Sequence, residues 1–118
     1  VQTCALPILA DYDEAIRLAP NYLLAYQNKA WLLATCPDDA IRNGKQAVEA
    51  AKKACELAQE EQWPDLKALA AAYAESGDFA KAIQWQTKAI AMAPEAERDE
   101  EQKVLETYQS KRPWRDNP

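Results

Sequence analysis

The sequence predicts an all-α fold, an array of antiparallel helix pairs that ends in a C-terminal capping helix. Apolar residues in the stretch 66–73 recur with the spacing i, i+3, i+4, i+7, which places one apolar stripe along a helix. Similar stretches return elsewhere in the chain, and no region alternates like a strand over a useful length. The two glycines, Gly44 and Gly77, fall between predicted helices.

The clearest predicted helix pair covers residues 66–94. The first helix ends at Ser76, after which Gly77 can adopt the positive φ of a helix end and Asp78 can cap the next helix. A second apolar stripe begins at Phe79. Pro94 ends it, because proline cannot continue a helix from an interior position.

These residues resemble the tetratricopeptide repeat, a helix-turn-helix unit of about 34 residues. The family pattern is matched in this sequence by Leu66, Leu69, Ala70, Tyr73, Ala82, Ala89 and Pro94. Two positions depart from it: Leu66 replaces an aromatic residue, and Gln86 stands where a large aromatic residue is usual, beside Trp85. The pattern also recurs, since residues 53–58 lie 35 positions before residues 88–93, and residues 15–20 form a third copy.

The resemblance implies a division of the chain into repeats. In chain order we expect a foreign or disordered arm at 1–7, the second helix of a truncated repeat at 8–20, a repeat at 21–59 with a long inter-helix loop at 36–44, a repeat at 63–94, a capping helix at 95–109 and a tail at 110–118.

The first seven residues do not fit the repeat pattern. A helix extended backward from residue 8 would include Pro7, which an interior turn should not hold. The string VQTCALPI also resembles a segment found at the ends of fragmentary metagenomic predictions. We therefore expect a longer natural protein, and the alternative is a native arm that folds over the first helix. The string WLLATCPD with its long loop resembles bacterial multidomain repeat proteins, which often carry signalling modules.

Composition disfavours several classes of partner and chemistry. The net charge is −5, which disfavours nucleic acid, since phosphate binding needs several basic contacts. The basic residues around Trp114 in the tail are too few to change this expectation. No apolar run approaches the roughly 20 residues that cross a bilayer. With no signal-peptide pattern either, we expect no membrane partner and slightly favour a cytoplasmic location.

The sequence contains no recognisable catalytic constellation. It has no histidine, and it lacks a GxSxG motif, a phosphate loop and a CxxC pair. The acidic run at Glu97, Glu100 and Glu101 is expected to be solvated helix surface. Cys36 and Cys55 should lie more than about 15 Å apart on neighbouring helices, too far for a disulfide. We therefore predict no enzyme activity and no cofactor.

A groove is the predicted functional surface. In the family that this chain resembles, the first helices of successive repeats line a concave face that binds peptides or partner helices. The matching residues, on the side away from the core stripe, are Gln27, Trp31, Thr35, Lys67, Ala71 and Glu75, with Ala34 and Ala74 beside them. Trp31 is the expected anchor, and the alternative is that it packs as core.

Three functions remain open at this stage. The first is a non-catalytic module that binds a peptide or partner helix. The second is an accessory or regulatory repeat domain of a larger bacterial signalling enzyme. The third is a structural unit that self-associates through its N-terminal edge, where Ile8, Tyr12, Ala15 and Ile16 are predicted to expose an apolar patch.

Overall fold

A computed structural model describes residues 5–59 and 61–116, with side chains from residue 8 onward. Over these ranges the chain forms six helices: α1 (Ala5–Leu18), α2 (Leu23–Thr35), α3 (Gly44–Leu57), α4 (Trp63–Glu75), α5 (Phe79–Met92) and α6 (Glu95–Gln109). The described ranges contain no strand, which confirms the all-α prediction. The radius of gyration is 13.4 Å, close to the ~13 Å expected of one compact domain of this length.

The helix ends follow the local signals in the sequence. Gly77 has φ 89°, and the Asp78 side chain accepts a hydrogen bond from the backbone N–H of Lys81 at 3.1 Å. Both predictions at this turn are confirmed. Asn43 caps α3 in the same way, accepting from the backbone N–H of Gln46 at 3.0 Å.

The structure corrects the prediction at the start of α1. We expected Pro7 to exclude a helix there, but α1 begins at Ala5. Pro7 therefore lies in the first turn, where backbone N–H groups have no partner within the helix and proline is tolerated. Residues 1–4 lie outside the described residues, so the predicted arm is covered only in part.

Each helix packs against the next one in the chain, and α2 also packs against α4. The core between α2, α3 and α4 is built largely of alanine, which lets the helices approach closely. Gly44 extends this close approach to the first residue of α3. A Cβ atom there would lie 2.7 Å from Ser76 Oγ and 3.0 Å from the Ser76 backbone nitrogen.

Helix α6 closes the far side of the core. Val104 and Tyr108 are buried against Ala70, Ala74 and Ala82 of α4 and α5. No helix in the described ranges has both the length and the apolar character that a membrane span requires.

The prediction that Glu101 is solvated is wrong. Glu101 is 1% exposed, because it lies on the same face of α6 as Val104 and Tyr108. Gln86, which is also fully buried, donates from Nε2 to the Glu101 carboxylate at 3.0 Å. Glu97 and Glu100 are exposed, as predicted.

The long connection between α2 and α3 is a folded loop. Its turn is closed by a bond from the backbone N–H of Ile41 to the carbonyl of Asp38 at 3.0 Å. Cys36 and Ile41 are buried there against Leu32. Cys36 and Cys55 are both free thiols, as predicted.

Where the sequence predicts only a tail, residues 110–116 turn back onto the helices. We call them the C-terminal segment. It leaves α6 through Lys111, whose φ of 58° is left-handed. Trp114 then packs against the cluster formed by α4, α5 and α6, and the backbone N–H of Asp116 donates to the Thr35 carbonyl at 3.0 Å.

Candidate functional site

The predicted groove residues lie on the two adjacent helices α2 and α4, which contact each other directly. We call the surface that carries them the α2–α4 face. Its members are Gln27, Trp31 and Thr35 on α2, and Lys67, Ala71 and Glu75 on α4. The spacing of four residues within each set places its members one turn apart on one side of the helix.

The open part of this face is a cleft between tryptophan rings. The Nζ atom of Lys67 lies 4.5 Å from the centroid of the Trp31 ring and 5.7 Å from that of the Trp63 ring. Both distances are within the range of cation–π attraction. A cavity of about 210 Å³ lies here, lined by Gln27, Asn28, Trp31, Trp63, Pro64, Lys67 and Ala68. The structure thus brings Gln27, Trp31 and Lys67 together.

The C-terminal segment occupies the other end of the face. The indole N–H of Trp31 donates to Oδ2 of Asp116 at 2.6 Å. Arg115 Nη1 lies 2.8 Å from Oε1 of Glu75 and 3.4 Å from the Ala34 carbonyl oxygen. Trp31 and Glu75 are therefore bridged by two consecutive residues of the chain itself.

Glu75 is held from both sides by arginine. Opposite Arg115, Arg42 Nε lies 3.5 Å from Oε2 of Glu75. Arg42 is itself fixed by hydrogen bonds to the carbonyl oxygens of Cys36 at 2.7 Å and Pro37 at 3.1 Å. The long α2–α3 loop therefore has a structural consequence at this face, because it positions the cation that orients the Glu75 carboxylate.

Two of the predicted groove residues offer no free surface. Thr35 and Ala71 are each 1% exposed. Ala71 belongs to the core between α2, α3 and α4. The hydroxyl of Thr35 donates to the carbonyl of Trp31 at 2.7 Å, and the C-terminal segment lies beside it. The expectation that these two residues line an open groove is therefore wrong, because close packing of the helices buries both side chains.

The predicted groove residue Gln27 contacts a buried carboxylate. Its Nε2 donates to Oδ1 of Asp65 at 2.6 Å. Burial raises the pKa of Asp65, and the hydrogen bond from Gln27 opposes that rise. Lys67, two positions after Asp65 on α4, pairs with Oε2 of the buried Glu101 at 3.0 Å. The side chains along this face are therefore held in place by their neighbours.

A second cavity, of about 140 Å³, lies between α3, α4 and α5 and includes Cys55, Asp65 and Trp85 in its lining. Burial raises the pKa of Cys55 to about 11, with further contributions from the negative charges of Asp65, Glu61 and Glu56. The thiol is therefore protonated near neutral pH, and a thiol is a far weaker nucleophile than a thiolate. Within the described ranges, no group of three or more acidic, cysteine or histidine residues is placed to hold a metal ion.

Comparison of the chain with known proteins gives no identification. No protein-family model, curated protein or solved structure matches it.

Several residues that contribute to this site or its support were not predicted from the sequence to do so. Arg42, Trp63 and Asp116 have no pattern that marks them, because their contacts join distant parts of the chain. Glu101 had a usable signal: it precedes Val104 by three positions and Tyr108 by seven, the spacing of one helix face. Trp114 had a weaker signal, as a large aromatic side chain beyond the last helix.

Proposed function

We propose that this chain is a non-catalytic interaction module with a tetratricopeptide-like helix array, and that its α2–α4 face binds a peptide segment of a partner protein. One observation carries the proposal. The C-terminal segment, which is non-helical at residues 112–116, lies on that face through the backbone bond from Asp116 to Thr35 and the side-chain contacts of Arg115 and Asp116. A face that accommodates such a segment of its own chain has the shape and the donors to accept one from a partner.

The remaining cleft supports the same proposal. Two tryptophan rings and a lysine line a cavity next to the occupied end, and aromatic side chains in pockets are frequent anchors of binding. The face is small, so we expect affinities in the micromolar range or weaker, as for small transient interfaces. The segment on the face is non-helical, so we propose a peptide as the ligand rather than a partner helix.

The test combines peptide selection with a thermal melt. A library of random peptides is selected against the full-length chain, and the affinities of the selected peptides are measured for the wild type and for Trp31→Ala. We expect Trp31→Ala to abolish the binding of these peptides, while the variant keeps a nearly unchanged helical circular dichroism spectrum. Met92→Ala, a change at an exposed apolar residue of α5 outside the face, is the control and should leave binding unchanged.

The contrary result is also defined. If Trp31 acts mainly as core, Trp31→Ala should cost about 3–5 kcal/mol of stability. Peptide binding retained by the folded fraction of that variant would move the functional surface away from the α2–α4 face.

A second function, self-association, is favoured by exposed apolar side chains near the turn between α1 and α2. Leu18 is 68% exposed, Leu24 is 50% exposed and Tyr22 is 48% exposed. Such a patch can bind a second copy of the chain.

A further inference from the structure

The contacts of the C-terminal segment define what kind of segment the α2–α4 face recognises. Two consecutive residues, Arg115 and Asp116, bring opposite charges to two different places on the face. Arg115 reaches a carboxylate on α4, and the Asp116 carboxylate accepts from the Trp31 indole N–H on α2. The two subsites are chemically complementary to these charges and differ from each other.

The arginine subsite is a pre-oriented carboxylate. The side chain of Glu75 is 17% exposed, and Arg42 contacts its second oxygen. Arg42 in turn donates to two carbonyl oxygens of the α2–α3 loop. A guanidinium that arrives from outside therefore meets a partly buried carboxylate that already has one cation beside it, and this partial burial limits the ordering that binding requires.

The aspartate subsite is built around one strong hydrogen-bond donor. The Trp31 indole N–H donates to the carboxylate at 2.6 Å, while the Thr35 hydroxyl, 3.5 Å from the same carboxylate oxygen, donates to the Trp31 carbonyl. A carboxylate is favoured here, because a guanidinium would meet the indole N–H, a donor, where it needs an acceptor.

The backbone fixes the order of the two charges. The N–H of Asp116 donates to the Thr35 carbonyl at 3.0 Å, so this residue is held beside Trp31 and the preceding one beside Glu75. With the order reversed, a carboxylate would lie against Glu75 and a guanidinium against the indole N–H. Both arrangements are repulsive or unpaired.

We propose that the α2–α4 face recognises an arginine followed directly by an aspartate in a non-helical segment of a partner protein, and that the C-terminal segment competes with this partner in cis. This inference rests on the proposed function. The cis contact is suited to displacement, because the Arg115 side chain is 33% exposed and Asp116 is exposed. Lys111, in a left-handed conformation that residues other than glycine rarely adopt, lies where the segment leaves α6 and gives it a strained attachment.

The experiment uses the full-length chain with Arg115→Ala and Asp116→Ala combined, which weakens the cis competitor while retaining α6. Two fluorescent peptides of equal composition are titrated, one containing Pro-Trp-Arg-Asp and the other Pro-Trp-Asp-Arg. We expect at least about tenfold tighter binding of the Arg-Asp peptide, since a tenfold ratio needs only ~1.4 kcal/mol. The wild type should bind the Arg-Asp peptide more weakly than the double variant, because its own segment occupies the face.

Two further measurements make the result specific. Glu75→Gln in the double variant should reduce the preference for the Arg-Asp order, and circular dichroism verifies that this variant is folded. The Trp31 indole N–H resonance, assigned with Trp31→Phe, should shift on addition of the Arg-Asp peptide and not of the reversed one.

Equal affinity for the two peptides, or an unchanged Trp31 indole resonance at saturating peptide, overturns the inference. The proposed function has a separate outcome. If binding of the library-selected peptides requires Trp31 but does not depend on the order of arginine and aspartate, the proposed peptide-binding function stands and only the Arg-Asp specificity is rejected. Selected peptides that are insensitive to Trp31→Ala would reject both.

Discussion

The carboxylate of Glu101 connects three helices through polar contacts inside the molecule. Gln86 of α5 donates to it and to the Glu101 carbonyl oxygen, at 3.0 Å and 2.9 Å. Lys67 of α4 lies 3.0 Å from its other oxygen. Buried charged groups are tolerated only when they are paired and hydrogen-bonded, so this contact set fixes how α6 sits on α4 and α5.

Removing that carboxylate should therefore destabilise the fold. We expect Glu101→Ala to lower the free energy of unfolding by about 1–3 kcal/mol, because it leaves the buried Gln86 amide without its side-chain acceptor. Glu100→Ala is the matched control, since its side chain is exposed and the change should stay within about 0.5 kcal/mol. Urea denaturation of both variants measures the difference. Equal stability of the two variants would contradict the structural role of Glu101.

Asp65 gives a prediction for pH dependence. Burial raises its pKa above the unfolded value of about 3.9, so between the two pKa values the folded chain binds more protons than the unfolded chain. The resulting contribution to stability is fully present below the unfolded pKa and is lost as pH rises through the folded pKa. Asp65→Asn keeps an acceptor for Gln27 and cannot ionise. We expect its gain in unfolding free energy over the wild type to be larger at pH 7 than at about pH 4.

Urea melts at the two pH values test this prediction. Asp99→Asn, a change at an exposed aspartate on α6, supplies the control and should show a smaller pH-dependent difference. A gain for Asp65→Asn that grows toward low pH would reverse the assigned direction of the pKa shift.

At the scale of elements, the sequence predicted the helices well and the non-helical segments poorly. Helix periodicity, Pro94 and the turn at Gly77 are local signals, so the predicted bounds of α6 coincide with the observed Glu95–Gln109. The contact between Trp31 and Asp116 spans 85 positions. No local pattern specifies where a segment without periodicity will pack, and the fold of residues 110–116 could not be predicted for that reason.

The edge formed by α1 and the start of α2 carries the prediction of self-association. Ile16 belongs to the patch that the sequence predicts, but its side chain is only partly exposed, so a lysine there would also disturb packing. Leu24 is 50% exposed and is the better site. We expect the wild type to associate with rising concentration and Leu24→Lys to shift it toward monomer, because a charge disfavours burial of the patch.

Sedimentation velocity over a range of concentrations measures this shift. Gln84→Lys adds the same charge at an exposed position on α5 and should leave the association unchanged. A wild type that stays monomeric at every concentration would remove self-association as a function of this edge.

At the scale of the whole molecule, the α2–α4 face includes residues from parts of the chain that the sequence analysis treated as separate from it. Of the predicted groove residues, Gln27, Trp31 and Lys67 line one cavity. The sequence did not predict that Arg42 of the α2–α3 loop and the C-terminal segment also contact this face. Both contacts depend on how the helices pack, which no local sequence pattern specifies. Thr35 and Ala71 are buried because α2 and α4 approach through small side chains.

Helix α6 closes the core, and its removal tests how far the other helices stand alone. Deletion from Glu95 onward removes the buried side chains of Val104, Leu105 and Tyr108 and exposes apolar surface on α4 and α5. Full burial of such side chains contributes about 1.5–3 kcal/mol each, so we expect a loss of several kcal/mol and a tendency to aggregate.

The Arg115→Ala, Asp116→Ala variant isolates the C-terminal segment, whose exposed contacts should contribute much less. Thermal melts and light scattering compare the two. An unchanged melting midpoint and a monomeric truncated chain would show that α6 is dispensable, and would assign the closing role to α5.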